Sequence, residues 1–459
     1  MTETPSAAVR EELYELDLTH WLHPQGDLDG PTGTAPRLMF VSGEGATLTD
    51  DRGRTYIDAM ACLWNVNVGY GRKVLAAAAA EQMERLAFTS AYGGWGHEPG
   101  ARLAARLARL APGDLQVTFF ASGGGEANDT AYKLARLYWK LCGEPERVKI
   151  VSRLRDYHGL TYGATSATGL PPFWKDFEPL APGFLHAPSP DPYRRPAGQT
   201  PAGAAYAAEL EEVIVEAGPA TVAAVVAEPV QGAGGLIVPP PDYFPRLREI
   251  CDRYGVLFIA DEVITGFGRT GRWFAMEHWG VAPDLMVFAK GVTSGYVPLS
   301  GVMMSRRVHD GLRRRRGPLP HAFTYSGHPV ACAVALRNLD IIESEGLVAR
   351  SAKLGVRLLE GLEGLRAHEI VGDVRGLGLM AGVELVQDRR TRALFPPEAG
   401  VGRRVCQAAF EEGVILRPLA GDVIGMSPPL VISEAEVDRV VEVLGRALGR
   451  VGEECAGAG

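Results

Sequence analysis

Short apolar runs, rich in β-branched and aromatic residues, alternate with amphipathic segments through the middle of the chain. Each run has the length of a buried β-strand, and strands separated by helices indicate a mainly parallel sheet with helices on both faces. The predicted strands span residues 117–121, 148–152, 222–227, 256–260, 285–289 and 302–304. The hydrophobic pattern therefore predicts an α/β fold organised around one central sheet.

The pattern changes after Pro329, where helices become longer and strands shorter. Helices are predicted at about 331–344, around the leucines at 354, 358 and 362, and after Ser433, where Ser433 and Glu436 have the spacing of a capping box. Short strands are predicted within 374–385, 414–416 and 423–426. This region is predicted to form a second, smaller α/β unit.

Three of the predicted strands end at ionisable side chains, Glu228, Asp261 and Lys290. The carboxyl ends of parallel strands meet at the edge where open α/β sheets bind ligands. Three such endings are hard to explain as unrelated core residues. A simple ion pair between Asp261 and Lys290 remains an alternative explanation for those two residues.

Lysine is rare in this chain, which makes Lys290 informative. Only seven of the 47 basic residues are lysines. An amine that must lose its proton before it attacks a carbonyl carbon has to be lysine, because a guanidinium stays protonated. Asp261 could supply a fixed negative charge that keeps a heteroaromatic nitrogen protonated. The pair is therefore a candidate for covalent cofactor chemistry.

A run of three glycines, residues 123–125, lies between a predicted strand and a predicted helix. Glycine lets the backbone approach an anion, and the first N–H groups of a helix are free to bind one. The pattern is weak when taken alone, because many such runs are only turns. Together with the strand ends, it predicts a phosphate site.

Charge and cysteine content exclude several classes of protein. The net charge of −8 argues against nucleic acid as the main partner. The six cysteines show no Cys-x-x-Cys pair, so neither a disulfide framework nor a zinc site is expected. No apolar run approaches the length of a membrane span, and no targeting segment is recognised at the N-terminus. A cytoplasmic protein is predicted.

The central segment also resembles a known family. Residues 260–271 read Ala-Asp-Glu-Val-Ile-Thr-Gly-Phe-Gly-Arg-Thr-Gly, and residues 289–299 read Ala-Lys-Gly-Val-Thr-Ser-Gly-Tyr-Val-Pro-Leu. Both closely resemble the class III aminotransferases, which are pyridoxal-phosphate enzymes of fold type I. Among them the chain is most similar to the omega-amino acid and diamine:pyruvate transaminases. The resemblance implies a large domain with a seven-stranded, mainly parallel sheet, and a smaller domain built from both chain ends.

The resemblance assigns domains and roles by position. It implies an N-terminal segment of the small domain at 1–75, a large cofactor-binding domain at 76–329 and a C-terminal small domain at 330–459. Lys290 would hold pyridoxal phosphate covalently, and Asp261 would face the pyridine nitrogen. The remaining cofactor-binding positions are Tyr157 and Val263 on the two ring faces, Glu228 near the ring hydroxyl, and Gly124 and Gly125 at the phosphate. The family usually has serine where this chain has Gly125, so one hydroxyl contact to the phosphate is missing.

Further positions match contributions from a second subunit and from the substrate pocket. Thr324 matches a threonine that reaches the phosphate of the neighbouring subunit, which implies a homodimer or a dimer of dimers. Arg417 matches an arginine that binds the keto-acid carboxylate and swings away from other substrates. The positions that match substrate-pocket residues are Trp64, Tyr92, Tyr157 and Ala233.

The resemblance thus implies ping-pong transfer of an amino group from a primary amine to pyruvate. A diamine, β-alanine or another omega-amino acid is the expected donor. An aminomutase or a decarboxylating transaminase on the same scaffold remains an alternative, because fold alone does not settle the reaction. A regulator that binds the cofactor without turnover is an alternative of another class, although Lys290, Asp261 and Glu228 are all present.

Overall fold

The computed structural model describes residues 5–25, 38–195 and 203–457. Its helices are α1 Ala7–His20, α2 Ala61–Trp64, α3 Lys73–Leu86, α4 Glu98–Leu110, α5 Gly124–Leu141, α6 Tyr162–Ala167, α7 Gly203–Ala217, α8 Tyr243–Tyr254, α9 Arg306–Leu312, α10 Pro329–Ser344, α11 Leu347–Gly364, α12 Val401–Glu411 and α13 Glu434–Gly457. Its strands are β1 Phe40–Glu44, β2 Thr47–Asp50, β3 Thr55–Asp58, β4 Leu115–Ala121, β5 Lys149–Arg153, β6 Phe184–Ala187, β7 Val222–Ala227, β8 Leu257–Asp261, β9 Leu285–Phe288, β10 Ser300–Ser305, β11 Val371–Gly376, β12 Ala381–Leu385, β13 Val414–Ile415, β14 Arg417–Leu419 and β15 Val423–Met426.

A seven-stranded sheet forms the centre of the fold, in the order β4-β10-β9-β8-β7-β5-β6. Strand β10 runs antiparallel to both of its neighbours, and the other pairs in this sheet are parallel. The predicted α/β class and the mainly parallel sheet are confirmed. The short edge strand β6 is missing from the sequence prediction, because its four residues lack a continuous buried run.

Alternate residues of the central strands pack on opposite faces of this sheet. On β7, Val226 packs in one core with α5, whereas Val225 packs in a second core with α7 and α8. On β8, Ile259 and Phe258 divide between the same two cores. The period-two alternation of an extended strand explains this division. Helices on both faces leave the carboxyl edge of the strands as the open position for a site.

Two four-stranded sheets flank the large one, with the orders β1-β2-β3-β13 and β11-β12-β15-β14. In the first, Val414 of β13 pairs in parallel with Ile57 of β3, so strands from both ends of the chain share one sheet. This pairing supports our proposal that segments 1–75 and 330–459 form one small domain beside a large domain at 76–329. The first of these segments includes residues outside the described part.

The local signals near the C-terminus are confirmed. The Ser433 N–H donates to Glu436 Oε2 at 2.7 Å, and the Glu436 N–H donates to Ser433 Oγ at 3.2 Å, so the predicted capping box forms before α13. Helix α1 was not predicted, and it buries none of its residues within the protomer. Among the described residues, no helix is long and apolar enough to cross a membrane.

Candidate active site

The three ionisable strand ends come together because β9, β8 and β7 are neighbours in the large sheet. Asp261 is the last residue of β8, Glu228 directly follows β7, and Lys290 lies two residues beyond β9. Asp261 and Lys290 line one cavity of about 290 Å³. The cavity walls also include residues 123–126, Asn128, residues 157–161 and Val263.

Lys290 has a backbone conformation that side chains rarely adopt, with φ at 45°. Such strain persists only where the surrounding structure holds it, and it is frequent at functional sites. Burial lowers the pKa of Lys290, although the charges of Asp261 and Glu228 act in the opposite direction. Lys290 makes no ion pair within the described part of the chain, so the alternative of a simple pair with Asp261 is wrong.

Asp261 is instead held by His158 and by neutral donors. The His158 Nδ1 atom lies 2.7 Å from Asp261 Oδ2, and Asn128 Nδ2 donates to the same oxygen at 2.8 Å. The Val263 N–H donates to the other carboxylate oxygen at 3.1 Å. Burial opposes a charge on His158, but Asp156 and Asp261 outweigh it and raise the pKa of His158 to about 10. The imidazolium therefore balances the Asp261 charge.

A second ion pair extends this cluster away from the cavity. Arg153 donates two hydrogen bonds to Asp156, each of 2.8 Å, and both side chains are fully buried. The Asp156 carboxylate lies 3.7 Å from His158 Nε2. Cation and carboxylate thus alternate from Arg153 to Asp261. The bidentate pair holds the Asp156 carboxylate in place beside the imidazole.

Glu228 is buried between backbone donors. Its Oε2 atom accepts from the Tyr157 N–H at 2.8 Å, and its Oε1 atom accepts from the Gly232 N–H at 3.2 Å. Burial, together with the charge of Asp156, raises the pKa of Glu228. The side chain can therefore carry a proton near neutral pH and donate it in a hydrogen bond to an oxygen of a bound group.

The opposite end of the cavity presents backbone donors. Helix α5 begins after Gly123 without a side-chain cap, and its first helical bond runs from the Ala127 N–H to the Gly123 carbonyl. Within the described residues, the N–H groups of Gly124, Gly125 and Glu126 therefore have no partner. An uncapped start on an 18-residue helix favours an anion at this point.

The cavity is narrow between Asp261 and the start of α5. A Cβ atom placed on Gly124 would lie 3.3 Å from Val263 Cγ1, so a larger residue at this position would intrude on the cavity. Tyr157 lies in the same wall segment as His158, and its ring packs edge-on against Phe173 with centroids 5.9 Å apart. The residues fit a flat, phosphorylated group that carries a carbonyl near Lys290 and a basic nitrogen near Asp261.

Arg417 does not line this cavity but acts on it electrostatically. It begins β14, is partly buried, and makes no ion pair or side-chain hydrogen bond in the described structure. Its charge acts to lower the pKa of both Lys290 and Tyr157, which places it within electrostatic range of the cavity. The turn after β14 contacts Ala233, whose carbonyl accepts from the Ala420 N–H at 3.5 Å.

The remaining predicted substrate residues lie in other surroundings. Trp64 is 4% exposed and packs in a small apolar cluster that includes Val230 and Ile264, close in sequence to Glu228 and Asp261. Tyr92 is exposed and lines a separate cavity of about 1090 Å³. Thr324 lies in an exposed turn. Neither Tyr92 nor Thr324 lines the cavity at Lys290 and Asp261 (the cofactor cavity) in its own protomer.

Several residues of this site have no predicted role from the sequence. Asn128 donates to Asp261 and Arg153 donates to the Glu228 carbonyl, whereas Asp156 reaches the site only through His158. His158 stands between Tyr157 and Gly159, a few residues after the predicted strand 148–152, but its contact with Asp261 spans 103 positions. The sequence pattern that could have revealed three of these residues is Arg-x-x-Asp-x-His at 153–158, which places alternating charges at the end of a strand.

A buried lysine at a sheet edge, a charge-balanced carboxylate and an uncapped helix start are together the features expected of an enzyme that binds a phosphorylated carbonyl cofactor through a lysine. The sequence model of class III aminotransferases matches residues 31–448. The chain belongs to this family. Class III aminotransferases depend on pyridoxal phosphate, and the predicted family, fold and cofactor are confirmed.

Similar proteins cover nearly the whole chain. A putrescine–pyruvate aminotransferase of Pseudomonas aeruginosa is 40% identical over 444 residues, which are 96% of each chain. A diaminobutyrate–2-oxoglutarate transaminase of Halomonas elongata is 40% identical over 452 residues, again 96% of each chain. The solved structure of an (S)-enantioselective omega-transaminase from Thermomicrobium roseum has a TM-score of 0.92 at 48% identity, and the match covers 98% of this chain and 100% of that one.

Proposed function

We propose that this aminotransferase moves an amino group from a primary amine remote from a carboxylate to pyruvate by a ping-pong mechanism. A diamine, β-alanine or another omega-amino acid is the expected donor. The observation that carries the proposal is Arg417, an unpaired guanidinium within electrostatic range of Lys290. An unpaired arginine can bind a carboxylate through two hydrogen bonds. The name of the Pseudomonas relative supports pyruvate as the acceptor.

Lys290 and Asp261 in the cavity wall, and Glu228 behind Tyr157, have distinct tasks in this proposal. Bound pyridoxal phosphate supplies an electron sink for the electrons released when a proton leaves the donor carbon. The lowered pKa of Lys290 favours the neutral amine, which can attach the cofactor and later accept and return that proton. Asp261, balanced by His158, holds a proton at the pyridine nitrogen. Glu228 donates a hydrogen bond to the ring oxygen.

The two half-reactions place different demands on Arg417. When the keto acid is bound, Arg417 holds its carboxylate and orients the carbonyl carbon towards the site. When a donor without a carboxylate is bound, such as a diamine, the arginine turns towards solvent. Its lack of partners in the described structure makes this change inexpensive, because no existing ion pair has to be broken.

We further propose that the active form is a homodimer or a dimer of dimers, with Tyr92 and Thr324 contributing to the neighbouring site. Both residues are exposed in the protomer. Large apolar side chains lie exposed near them in sequence, among them Trp95 at 72% and Tyr325 at 61%. Exposed apolar surface of this kind is typical of an interface. The six unpaired cysteines agree with the cytoplasmic location that we propose.

The proposal is tested by following the absorbance of the cofactor in the purified holoenzyme. Putrescine, β-alanine, 4-aminobutyrate, taurine and 1-phenylethylamine are added separately, followed by pyruvate or by 2-oxoglutarate. We expect one donor class to bleach the band of the Lys290-bound cofactor and pyruvate to restore it, with alanine appearing. Restoration by 2-oxoglutarate alone, with glutamate as the product, would refute the pyruvate assignment.

The same experiment separates the alternatives. An aminomutase returns the amino group to its own substrate and forms no alanine from pyruvate, whereas a decarboxylating transaminase forms alanine but also releases carbon dioxide from its donor. A regulator without turnover keeps the band unchanged with every donor. Steady alanine formation over many cycles therefore excludes the aminomutase and the regulator, and alanine formation without release of carbon dioxide excludes the decarboxylating transaminase.

A further inference from the structure

The hydroxyl group of Thr161 is buried beside the start of α5 and makes no hydrogen bond in the described part of the chain. Thr161 directly precedes α6, yet its side chain does not cap that helix. A buried hydroxyl without a partner carries a desolvation cost, so a threonine kept in this position needs another explanation. Thr161 also lines the cofactor cavity, together with residues 123–125.

Close backbone packing brings Thr161 over the helix start. A Cβ atom placed on Gly159 would lie 2.7 Å from Gly125 Cα, so the two segments touch through glycine backbones. A Cβ atom placed on Gly125 would lie 3.1 Å from Thr161 Cγ2 and 3.2 Å from Thr161 Oγ1. Thr161 thus lies against the position from which a side chain at 125 would project.

The three glycines at 123–125 offer only backbone donors to an anion. Among the described residues that line the cavity, Tyr157 and Thr161 alone carry hydroxyl groups, and Tyr157 lies in the wall beside His158. We propose that Thr161 donates a hydrogen bond to the cofactor phosphate and supplies the hydroxyl that Gly125 lacks. The inference rests on pyridoxal phosphate as the cofactor and is independent of the proposed donor and acceptor.

Asp129 is the competing acceptor for the Thr161 hydroxyl. Burial raises the pKa of the Asp129 carboxyl, and Thr161 is among the groups that act to lower it. The two groups are therefore close enough to interact, but neither Thr161 Oγ1 nor Asp129 Oδ1 has a partner within hydrogen-bond geometry among the described residues, so the Thr161 hydroxyl remains available to a bound phosphate. A purely structural role beside Asp129 would affect folding and not the recognition of a phosphate.

The test compares the affinities of the apoenzyme for pyridoxal phosphate and for pyridoxal, which lacks the phosphate. Thr161→Val removes the hydroxyl at nearly constant volume. We expect pyridoxal phosphate to bind about 10-fold more weakly and pyridoxal to bind within about 2-fold of the wild type, as for loss of one hydrogen bond to a charged group. The phosphorus NMR shift of the bound cofactor should also change.

Two further variants distinguish the loss of a phosphate contact from general damage to the fold. Thr161→Ser keeps the hydroxyl and should keep the affinity. Thr165→Val changes a buried threonine one turn further along α6 that does not line the cavity, and it should leave both affinities unchanged. An equal loss for both cofactors with Thr161→Val, or no loss for either, would overturn the proposal.

A double variant that moves the hydroxyl from residue 161 to residue 125 tests the same proposal. In the double variant Gly125→Ser with Thr161→Ala, the hydroxyl moves to the helix start and the smaller alanine makes room for it. We expect the double variant to bind pyridoxal phosphate more tightly than Thr161→Ala alone, by about 10-fold. A double variant no tighter than the single one contradicts an interchangeable hydroxyl.

Discussion

Two fully buried arginines of this protein are held in opposite ways. Arg153, behind the cofactor cavity, is paired with Asp156, and this pairing raises its pKa although burial acts to lower it. Among the described residues, Arg269 has no carboxylate partner, and burial lowers its pKa to about 9 despite the charge of Asp58. The first arginine belongs to a chain of alternating charges that ends at the site.

Arg269 instead joins separate segments of the chain. Its guanidinium donates to the carbonyls of Leu379 and Pro428, and to Asn67 Oδ1 at 2.8 Å. Asn67 precedes the strands of the large sheet in the chain, whereas Leu379 and Pro428 follow them. Arg269 therefore joins the N-terminal and C-terminal parts of the chain. The comparison shows two uses of a buried arginine. The charges that lead from Arg153 to Asp261 balance one another and set the protonation of the site, whereas Arg269 stabilises the fold by hydrogen bonds to backbone carbonyls. Each region should therefore respond differently to mutation.

Lys290→Arg should have the largest effect at the cavity. Because a guanidinium stays protonated, we expect no covalent attachment of the cofactor and a transamination rate lower by at least about 10³-fold. The rate is measured as alanine formation at saturating cofactor. Lys353→Arg is the matched control, since Lys353 is exposed and pairs with Glu434 at 2.8 Å. A Lys290→Arg enzyme with a tenth of the wild-type rate would rule out the assigned role.

His158→Gln should break the charge chain and leave the Asp156 and Asp261 carboxylates without their shared cation. We expect the apoenzyme to lose about 3–5 kcal/mol of unfolding free energy, and the holoenzyme to bind its cofactor more weakly. Urea unfolding and a cofactor titration measure the two effects. His368→Gln, at a partly exposed position, is the control. Unchanged cofactor affinity would show that His158 does not support Asp261.

The pH dependence of that loss identifies the imidazolium as its cause. The pKa of His158 is about 10 in the folded protein and lies near 6.5 when the chain is unfolded. The folded state therefore holds its proton more tightly, and the stabilisation is fully present below pH 6.5 and lost as the pH rises through 10. The free-energy difference between wild type and His158→Gln should shrink over this range. A constant difference contradicts a charged His158.

Arg269→Met should destabilise the fold without a matching effect on the cofactor. Loss of the guanidinium leaves the carbonyls of Leu379 and Pro428 unpaired, and we expect a cost of about 2–4 kcal/mol. Unfolding in urea should reveal this cost, while the affinity for pyridoxal phosphate stays within about 2-fold. If the cofactor affinity falls as strongly as with His158→Gln, the functional contrast between the two regions disappears.

Arg417→Gln should have the smallest and most selective effect. We expect the KM for pyruvate to rise about 10-fold, as for loss of a charge-assisted contact worth about 1.4 kcal/mol. The rate at which putrescine bleaches the cofactor should not change, because this donor has no carboxylate for the guanidinium to bind. Arg403→Gln, at an exposed position on α12, is the control. Equal damage to both half-reactions would argue against carboxylate recognition.

Much of the fold could be predicted because its elements follow from local sequence patterns. The strands that end at Glu228, Asp261 and Lys290 are continuous apolar runs, and the order of strands and helices defines the α/β class. The capping box at Ser433 depends on residues three apart. The short strand β6 and the helix α1 escaped prediction, because neither has a buried periodic face within the protomer.

The site was predictable only where one residue carries the signal. Lys290 and Asp261 stand out by type and position, but the partner of Asp261 turned out to be His158 and not Lys290. That contact depends on how β5 and β8 are placed by β7 between them, which no local spacing reveals. The unpartnered hydroxyl of Thr161 is likewise visible only in three dimensions.

The most direct test of the central claim is to locate the covalent attachment of the cofactor. The holoenzyme is treated with borohydride, which fixes the linkage between lysine and cofactor, and is then digested and analysed by mass spectrometry. We predict that the cofactor mass is found on the peptide that contains Lys290 and on none of the other six lysines. Attachment to another lysine, or no attachment in a catalytically active preparation, would contradict the assignment of the site.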